Sequence, residues 1–198
     1  MEQRVATILR EEGFEEVVES SSLGARLGFL PRMETALANG YLAPVMNAFT
    51  RRVTEVGEAS FLTSAGGLQK REDYEPVDSL LSGPAGGLVG ALEVAKAAGF
   101  ERIITFDMGG TSTDVARLEG VVPLRYEQEI GPVKVRRPGV RMETVAAGGG
   151  SICRWHQSGL EVGPHSAGAS PGPACYGQGG PLTAVSYTHL TLPTILLV

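Results

Sequence analysis

The sequence predicts a mixed α/β fold that carries a glycine-rich β-hairpin, and three observations support this. Apolar residues recur at steps of four between residues 32 and 56, which is typical of an amphipathic helix. The short apolar run at residues 103–106 is typical of a strand. Twenty of the 27 glycines lie between Gly83 and Gly180, so the second half should be rich in turns and in backbone that can approach a ligand.

Composition and charge narrow the class of protein. The chain has 198 residues, of which 42% are hydrophobic and 20% charged, which is ordinary for one large or two small globular domains. A net charge of −5 and the lack of a basic run argue against a nucleic-acid partner. We expect the pairs Arg51–Arg52 and Arg136–Arg137 to be solvated surface charge. No apolar run is long enough to span a membrane, so no membrane partner is expected.

Cysteine usage indicates a reducing compartment. The chain has two cysteines, which make no disulfide framework, and nothing at its N-terminus is typical of a signal peptide. We therefore expect a cytoplasmic protein.

The first elements predicted are a helix and a short strand. Residues 2–12 should form a helix that Gly13 ends, and residues 16–19 should form the strand. The apolar face of the helix consists of Val5, Ile8 and Leu9.

A longer helix is predicted over residues 32–56. Its apolar stripe is expected to pack into the core, and Gly40 and Pro44 should bend it. A strand at residues 61–63 and a turn at residues 65–67 should follow. The stripe consists of Leu37, Tyr41, Val45, Phe49 and Val53.

A glycine-rich segment, residues 82–87, should open the next helix. Ser82 is a natural N-cap, Pro84 suits the first turn, and Gly99 should end the helix. Such a start exposes N–H groups and the positive end of the helix dipole, which can bind an anion. Close packing through small residues explains the glycines equally well, so both interpretations stay open. The apolar face consists of Leu88, Val89, Leu92 and Ala95.

The run from Asp107 to Asp114 is the most informative segment. It has an acid at each end, with two glycines and three hydroxyl residues between them, and strand-like runs flank it. Glycines let the backbone approach an anion, and hydroxyls add donors. An acid at a strand end can hold Mg²⁺. This pattern predicts a tight turn between two strands that binds phosphate.

The segments beyond this turn are less regular. Residues 119–120 predict a hairpin turn, followed by strands near residues 121–127 and 133–135. Three consecutive glycines, Gly148–Gly150, indicate either a flexible loop or a place where backbone meets ligand. Residues 163–180 are rich in glycine and proline and are expected to form a loop.

Several common catalytic motifs are absent from the sequence. There is no GxxxxGK[ST] and no GxGxxG after a strand, and Pro164 breaks a GxSxG pattern around Ser166. The spacing of the cysteines and histidines is irregular for structural zinc, so we expect buried or loop residues there. Trp155 is expected to pack. The residues considered for zinc are Cys153, His156, His165 and Cys175.

The last segment, residues 184–198, reads AVSYTHLTLPTILLV and does not fit the rest. Residues 185–194 resemble the frame translation of a transposase adapter used in DNA library preparation. We therefore expect a non-native tail and a gene cut off after about Thr183. A natural C-terminal strand is the alternative.

Most of the chain, from about Val5 to Thr183, resembles the A-type subunit or half of the oxoprolinase/hydantoinase family, closest to 5-oxoprolinase. The matches occur in family order and include the Asp107–Asp114 run. A lone DxGGTxTD pattern would point only to the wider actin-like fold. The matching stretches are residues 43–45, 63–68, 81–87, 106–115, 144–152, 162–168 and 171–177.

The resemblance implies a partial actin-like ATPase fold (ribonuclease H-like) and the use of ATP and Mg. Residues 1–82 would be the remainder of a first domain and residues 83–183 the start of a second. In such enzymes the A-type part phosphorylates a cyclic amide, and a B-type subunit or domain completes the hydrolysis. The 5-oxoproline type yields glutamate, and relatives act on hydantoins or carboxylate acetone.

The resemblance also implies roles for particular residues. Asp107 would be catalytic or hold the metal, and Asp114 would fix the hairpin or share Mg through water. The residues that would contact phosphate are Gly109, Gly110, Thr111, Ser112 and Thr113. The residues that would lie near the nucleotide or at the domain joint are Ser82, Gly83, Gly86, Gly87, Gly148, Gly149, Gly150 and Ser151.

The chain departs from the family pattern because it lacks the first DxGGT-type hairpin. We expect a fragment of an ATP-dependent cyclic-amide hydrolase that holds one half of a phosphate clamp. The alternatives are a nucleotide-binding module without chemistry, an inactive truncated product, and a subunit like the beta subunit of acetone carboxylase.

Overall fold

A computed structural model describes residues 1–24 and 28–188, and they form a mixed α/β structure. Two compact units divide the chain: residues 1–101 with 118–141, and residues 102–117 with 142–198. We call them unit 1 and unit 2. None of the described helices combines the length and apolar character needed to cross a bilayer. The helices are α1 (Glu2–Glu11), α2 (Ser20–Leu23), α3 (Phe29–Val56) and α4 (Ser82–Ala97), with 3-10 turns at Pro76–Ser79 and Ala174–Tyr176.

The strands of the described residues all follow α3, and most of them have two or three residues. They are β1 (Ser60–Leu62), β2 (Leu68–Lys70), β3 (Arg102–Met108), β4 (Thr113–Glu119), β5 (Leu124–Arg125), β6 (Gln128–Ile130), β7 (Val133–Val135), β8 (Gly139–Val140), β9 (Glu143–Val145), β10 (Ser151–His156) and β11 (Gly159–Ser166).

The first helix forms as predicted, but the expected strand at residues 16–19 does not. Those residues are irregular and lead into α2. The carboxylate of Glu2 accepts hydrogen bonds from Ser20 N–H at 2.7 Å, from Ser20 Oγ at 2.6 Å and from Ser21 N–H at 3.2 Å. These bonds lower the pKa of Glu2 to about 2. Glu2 thus caps the N-terminus of α2, where free N–H groups favour an anion.

The predicted long helix, α3, begins three residues earlier than expected and continues through Pro44. The expectation that its apolar stripe packs into the core is wrong: Tyr41 is 85% exposed, and Leu37, Val45 and Phe49 are also exposed. The opposite side is buried and contacts α2, β7 and the Pro76–Ser79 turn. Its buried residues are Thr35, Asn39, Ala43 and Thr50.

The buried side of α3 is polar because it packs against backbone that needs hydrogen-bond partners. Thr35 Oγ1 accepts the N–H of Arg136 at 2.9 Å. Asn39 Oδ1 accepts the N–H of Val77 at 2.9 Å, and Asn39 Nδ2 donates to Glu75 at 3.1 Å. Hydrogen bonds from Thr35 and Asn39 to neighbouring segments therefore help to hold this side of the helix inside.

The predicted turn at residues 65–67 joins β1 and β2 in an antiparallel hairpin. The expectation for Ser82 as N-cap is wrong, since α4 begins at Ser82 itself and Leu81 takes the cap position. Ser82 Oγ instead donates to the carbonyl of Ser79 at 2.9 Å. Pro84 lies in the first turn, as predicted. Gly99, at φ +81°, follows the helix end.

The pair Arg136–Arg137 is not solvated surface charge, contrary to expectation. Arg137 Nε donates to Asp78 Oδ1 at 2.9 Å and Nη2 donates to Oδ2, while Nη1 donates to the carbonyl of Leu23 at 2.7 Å. The Asp78 side chain is only 5% exposed. Asp78 raises the pKa of Arg137 through these hydrogen bonds. Arg136 pairs with Glu34 and Glu127.

The strands after β4 pair differently from the sequence prediction. Residues 119–120 do not form a hairpin turn, because β5 pairs with β8 and β6 pairs with β7, both antiparallel. The strand predicted at residues 133–135 is confirmed as β7.

Unit 2 contains the antiparallel hairpin β10–β11 and the sheet β3-β4-β9, except the last two residues of β4, Leu118 and Glu119, which belong to unit 1. Strand β11 extends to Ser166, so residues 163–166 form a strand rather than the expected loop. The expectation that Trp155 packs is wrong, since it is 79% exposed. Residues 184–188 are helical, and residues 189–198 of the expected non-native tail lie outside the described residues.

Candidate functional site

The turn predicted between two strands is present. Strand β3 ends at Met108, β4 begins at Thr113, and the N–H of Gly109 donates to the carbonyl of Ser112 at 2.9 Å. Most of the turn is exposed, as a ligand site requires. The hairpin therefore forms from local chemistry, with glycine at the two positions that follow β3.

The loop between β9 and β10, residues 146–150, packs directly behind this turn. The N–H of Gly149 donates to the carbonyl of Gly109 at 2.9 Å, and the N–H of Gly150 donates to the carbonyl of Gly110 at 2.7 Å. A Cβ added to Gly148 would lie 2.6 Å from Gly109 O and 2.7 Å from Thr111 N. Gly148 therefore must be glycine for the two backbones to approach this closely.

These hydrogen bonds orient the peptide planes of the turn. In a planar trans peptide the N–H points away from the carbonyl of the same plane. Because the carbonyls of Gly109 and Gly110 point at the loop, the N–H groups of Gly110 and Thr111 point away from it. Among the described residues neither N–H has an acceptor. Two successive N–H groups directed to one side are an arrangement that binds anions.

Hydroxyl groups add to these donors. The side chains of Thr111 and Ser112 have no hydrogen-bond partner within the described part of the chain. Thr113 differs, because it is buried and its Oγ1 donates to the carbonyl of Ala147 at 2.6 Å. Thr111 and Ser112 are thus placed to bind a ligand, whereas Thr113 ties β4 to the loop behind the turn.

The two acids of the motif lie on neighbouring strands, Asp107 in β3 and Asp114 in β4. The Gly109–Ser112 bond and the bonds of Thr105 Oγ1 to the backbone of Ala116 share one register. That register places Asp107 opposite Asp114, and like charges in opposite positions repel. A cation between the carboxylates would offset this repulsion.

Asp114 is anchored on its other side by β9. Thr144, its cross-strand partner, donates from Oγ1 to Asp114 Oδ1 at 2.7 Å. Asp107 is exposed and has no protein partner among residues 1–24 and 28–188. Within those residues no group of three or more His, Cys, Asp or Glu side chains could hold a metal alone. Mg²⁺ bound here would complete its shell with water and phosphate.

The glycine-rich start of α4 belongs to unit 1. A Cβ on Gly86 would lie 2.8 Å from Leu62 Cδ2, so this glycine permits close packing of α4 on β1. Gly83 and Gly87 have open space around them. The close-packing interpretation therefore accounts for Gly86, and phosphate binding by this segment remains a prediction.

One supporting residue, Thr144, which holds Asp114, was missed from the sequence. Ser151, which follows the three glycines, was expected only to lie near the nucleotide or at a domain joint. Thr144 could be found from the sequence only if its pairing with Asp114 were known. Ser151 carries a weak local signal, since a serine after glycines can bond to the backbone of the turn.

Comparison with known proteins gives a consistent result. Residues 32–196 match the profile of the Hydantoinase/oxoprolinase family. The 5-oxoprolinase of Saccharomyces cerevisiae is 39% identical over 190 residues, which cover 92% of this chain and 15% of the yeast protein. The chain therefore spans about a seventh of the length of the yeast enzyme.

Solved structures that are similar include two ATP-dependent enzymes. ATP-dependent caprolactamase from Pseudomonas jessenii superimposes with a TM-score of 0.79 at 30% identity, covering 97% of this chain and 30% of that one. The curated alpha subunit of caprolactamase from that organism is 37% identical over 174 residues, 81% of this chain and 25% of the subunit. Nucleotide-free acetone carboxylase gives a TM-score of 0.63 at 28% identity, covering 84% of this chain and 26% of that chain.

Proposed function

The chain belongs to the hydantoinase/oxoprolinase family, and on this premise we propose that it supplies a phosphate-binding hairpin to an ATP-dependent cyclic-amide hydrolase. The observation that carries the proposal is the pair of N–H groups of Gly110 and Thr111, which are directed away from the loop behind them. The similarity to yeast 5-oxoprolinase favours 5-oxoproline as the substrate class.

The proposed fold is a partial actin-like ATPase, with residues 1–82 from one domain and residues 83–183 from the next. The likeness to ATP-dependent caprolactamase and to acetone carboxylase supports the α/β fold. The compact units of the structure divide the chain elsewhere, with α4 in unit 1, so the boundary at residues 82–83 stays a prediction. Residues 184–198 remain a predicted non-native tail.

The proposed chemistry is transfer of a phosphoryl group to the amide oxygen of the ring. Phosphoryl transfer depends mainly on positioning and on neutralising charge. The N–H groups of Gly110 and Thr111 and the hydroxyls of Thr111 and Ser112 would bind phosphate oxygens. Asp107 and Asp114 would hold Mg²⁺ directly or through water. Bound Mg-ATP would supply its γ-phosphoryl group, the bond between the γ-phosphorus and the bridging oxygen would break, and ADP would leave.

The proposed partner is a B-type subunit or domain that completes ring hydrolysis. Support comes from relatives named as single subunits, such as the alpha subunit of caprolactamase and the gamma subunit of acetophenone carboxylase. A cytoplasmic location is part of the proposal and fits the two free cysteines.

The decisive assay uses the full-length enzyme that carries this segment, together with its B-type partner. Phosphate release from ATP should require a cyclic amide. Asp107→Asn should lower the rate at least roughly 100-fold because metal and phosphate lose their charged ligand. The matched control is Asp73→Asn, an exposed acid of unit 1, which should leave the rate unchanged.

Two results would contradict the proposal. If no lactam or hydantoin changes the rate of phosphate release, the proposed cyclic-amide substrate is wrong. Near-normal turnover of Asp107→Asn would show that Asp107 is neither the catalytic residue nor a required metal ligand. Calorimetry of the 198-residue chain with Mg-ATP separates a binding module, which binds without turnover, from a product that binds nothing.

A carboxylase subunit is the second candidate, and the structural similarity to acetone carboxylase favours it. Both functions use ATP, and they differ in the molecule that accepts the phosphoryl group. Phosphate release that depends on a ketone and bicarbonate, and not on a cyclic amide, would favour the carboxylase.

A further inference from the structure

Ser151 occupies the first position of β10, directly after the three glycines. Its side chain is completely buried, with 0% exposure. Ser151 Oγ accepts the N–H of Gly148 at 2.8 Å, and the N–H of Ser151 donates to the carbonyl of Gly148 at 3.0 Å. The two bonds close residues 148–151 into a tight turn.

This closed turn determines the conformation of the loop that contacts the hairpin. The carbonyls of Gly149 and Gly150 accept from Val185 and Ala167 at 2.9 and 2.8 Å, so the loop is hydrogen-bonded on both sides. The N–H of Gly148 is the remaining donor of the three glycines, and its acceptor is Ser151. In a buried place, water cannot substitute for a missing acceptor.

We propose that Ser151 is a positioning residue for phosphate binding, an inference that rests on the proposed function. Ser151 holds Gly148, and the loop in turn holds the carbonyls of Gly109 and Gly110. The N–H groups of Gly110 and Thr111 are thereby directed outward, toward phosphate. Ser151 itself does not contact the nucleotide.

The test compares affinities for Mg-ATP by calorimetry on the 198-residue chain. Ser151→Ala should weaken binding roughly tenfold, equivalent to about 1.4 kcal/mol. The control is Thr35→Ala in unit 1, which removes a buried hydroxyl that also accepts a backbone N–H, that of Arg136 at 2.9 Å. Thr35→Ala should bind Mg-ATP like the wild type.

A second measurement distinguishes positioning from a general loss of stability. In the full-length enzyme, Ser151→Ala should raise the KM for ATP while the KM for the cyclic amide stays unchanged. A merely destabilised protein would instead lose active enzyme, with both KM values preserved.

The results of the Mg-ATP binding measurements distinguish a failure of this inference from a failure of the proposed function. Failure of the wild type to bind Mg-ATP overturns the phosphate site and this inference together. Equal binding by wild type and Ser151→Ala overturns the role of Ser151 alone. If Ser151→Ala does not fold, amide hydrogen exchange of the wild type tests the proposal instead. Mg-ATP should then slow amide exchange at Gly148, Gly149 and Gly150, and unchanged exchange would contradict the proposal.

Discussion

Gly148 and Gly149 are neighbours in one loop, yet a methyl group would meet different surroundings at each. At Gly148 it would lie within 2.8 Å of three backbone atoms of the hairpin turn, and backbone cannot move aside as a side chain can. At Gly149 the nearest atom, Val185 Cβ, would be 3.5 Å away, an ordinary contact. We therefore predict that Gly148→Ala displaces the turn and costs about 1–3 kcal/mol of stability, whereas Gly149→Ala is tolerated.

Chemical denaturation and Mg-ATP calorimetry of the two variants check this prediction. Gly148→Ala should lose both stability and nucleotide affinity, and Gly149→Ala should keep both. Equal behaviour of the two variants would show that the loop does not press against the turn in solution.

Glu2 makes the stability of unit 1 dependent on pH. Its pKa in the folded chain is about 2, against 4.5 for a free glutamate, because Ser20 and Ser21 donate to the carboxylate. A lowered folded pKa stabilises the fold above pH 4.5, and that stabilisation is lost as the pH falls from 4.5 toward 2. Glu2→Gln should therefore be less stable than wild type near neutral pH, with the difference vanishing toward pH 2.

Urea denaturation of wild type and Glu2→Gln between pH 2 and pH 7 measures this difference directly. Glu12→Gln, an exposed acid just after α1, serves as the control. A constant difference between wild type and Glu2→Gln across that range would mean that Ser20 and Ser21 do not hold the ionised form.

At the scale of elements, the Asp78–Arg137 pair joins segments that are distant in sequence. The backbone carbonyl of Asp78 accepts from Ser64 N–H at 2.6 Å and from Ser64 Oγ at 2.7 Å, which links the Pro76–Ser79 turn to the β1–β2 hairpin. The carboxylate of Asp78 binds Arg137. These contacts connect α2, the turn and the segment after β7, where the buried apolar side chains of Leu23, Val77 and Val135 also lie.

Removal of Arg137 should strongly destabilise this assembly. Arg137→Ala leaves the Asp78 carboxylate buried without its partner, and such losses cost about 3–5 kcal/mol. We expect the lower end of that range, because the Arg137 side chain is 19% exposed and water can reach part of the site.

Urea denaturation followed by circular dichroism measures the effect. The control is Arg52→Ala, which removes an exposed arginine of α3 and should change stability by less than about 0.5 kcal/mol. An equally small change in the free energy of unfolding in both variants would show that Arg137 is a solvated surface charge.

At the scale of the whole molecule, the exposed stripe of α3 should govern solubility. Contiguous apolar surface on a soluble chain indicates an interaction site or a tendency to aggregate. We predict that the chain self-associates, and that replacing Leu37, Tyr41 and Val45 with glutamine shifts light scattering toward monomer without lowering helix content. The matched control, Thr35→Gln on the buried side, should disturb the fold. Unchanged self-association in the triple variant would show that another surface drives aggregation.

The hairpin and the three longer helices were predictable because their determinants are local. Glycines at 109 and 110 between two β-prone runs indicate a turn wherever it lies in the molecule, and the helix that Gly99 follows was correctly anticipated. The irregular residues 16–19 were not, because a short apolar pair such as Val17 and Val18 does not distinguish a strand from a packed loop. Ser82 failed as a cap because Ser79 offered its hydroxyl another partner.

Local chemistry is sufficient to decide that residues 107–114 form a donor-rich turn with an acid at each end, and the family follows from the order of such motifs. Tertiary structure alone decides which side of α3 is buried, that Asp78 captures Arg137, and that Gly148–Gly150 lie behind the turn. Those outcomes depend on hydrogen bonds between segments tens of residues apart, and hydrophobic periodicity carries no information about such partners. The direction of the Gly110 and Thr111 N–H groups, on which the proposed function rests, belongs to this second class.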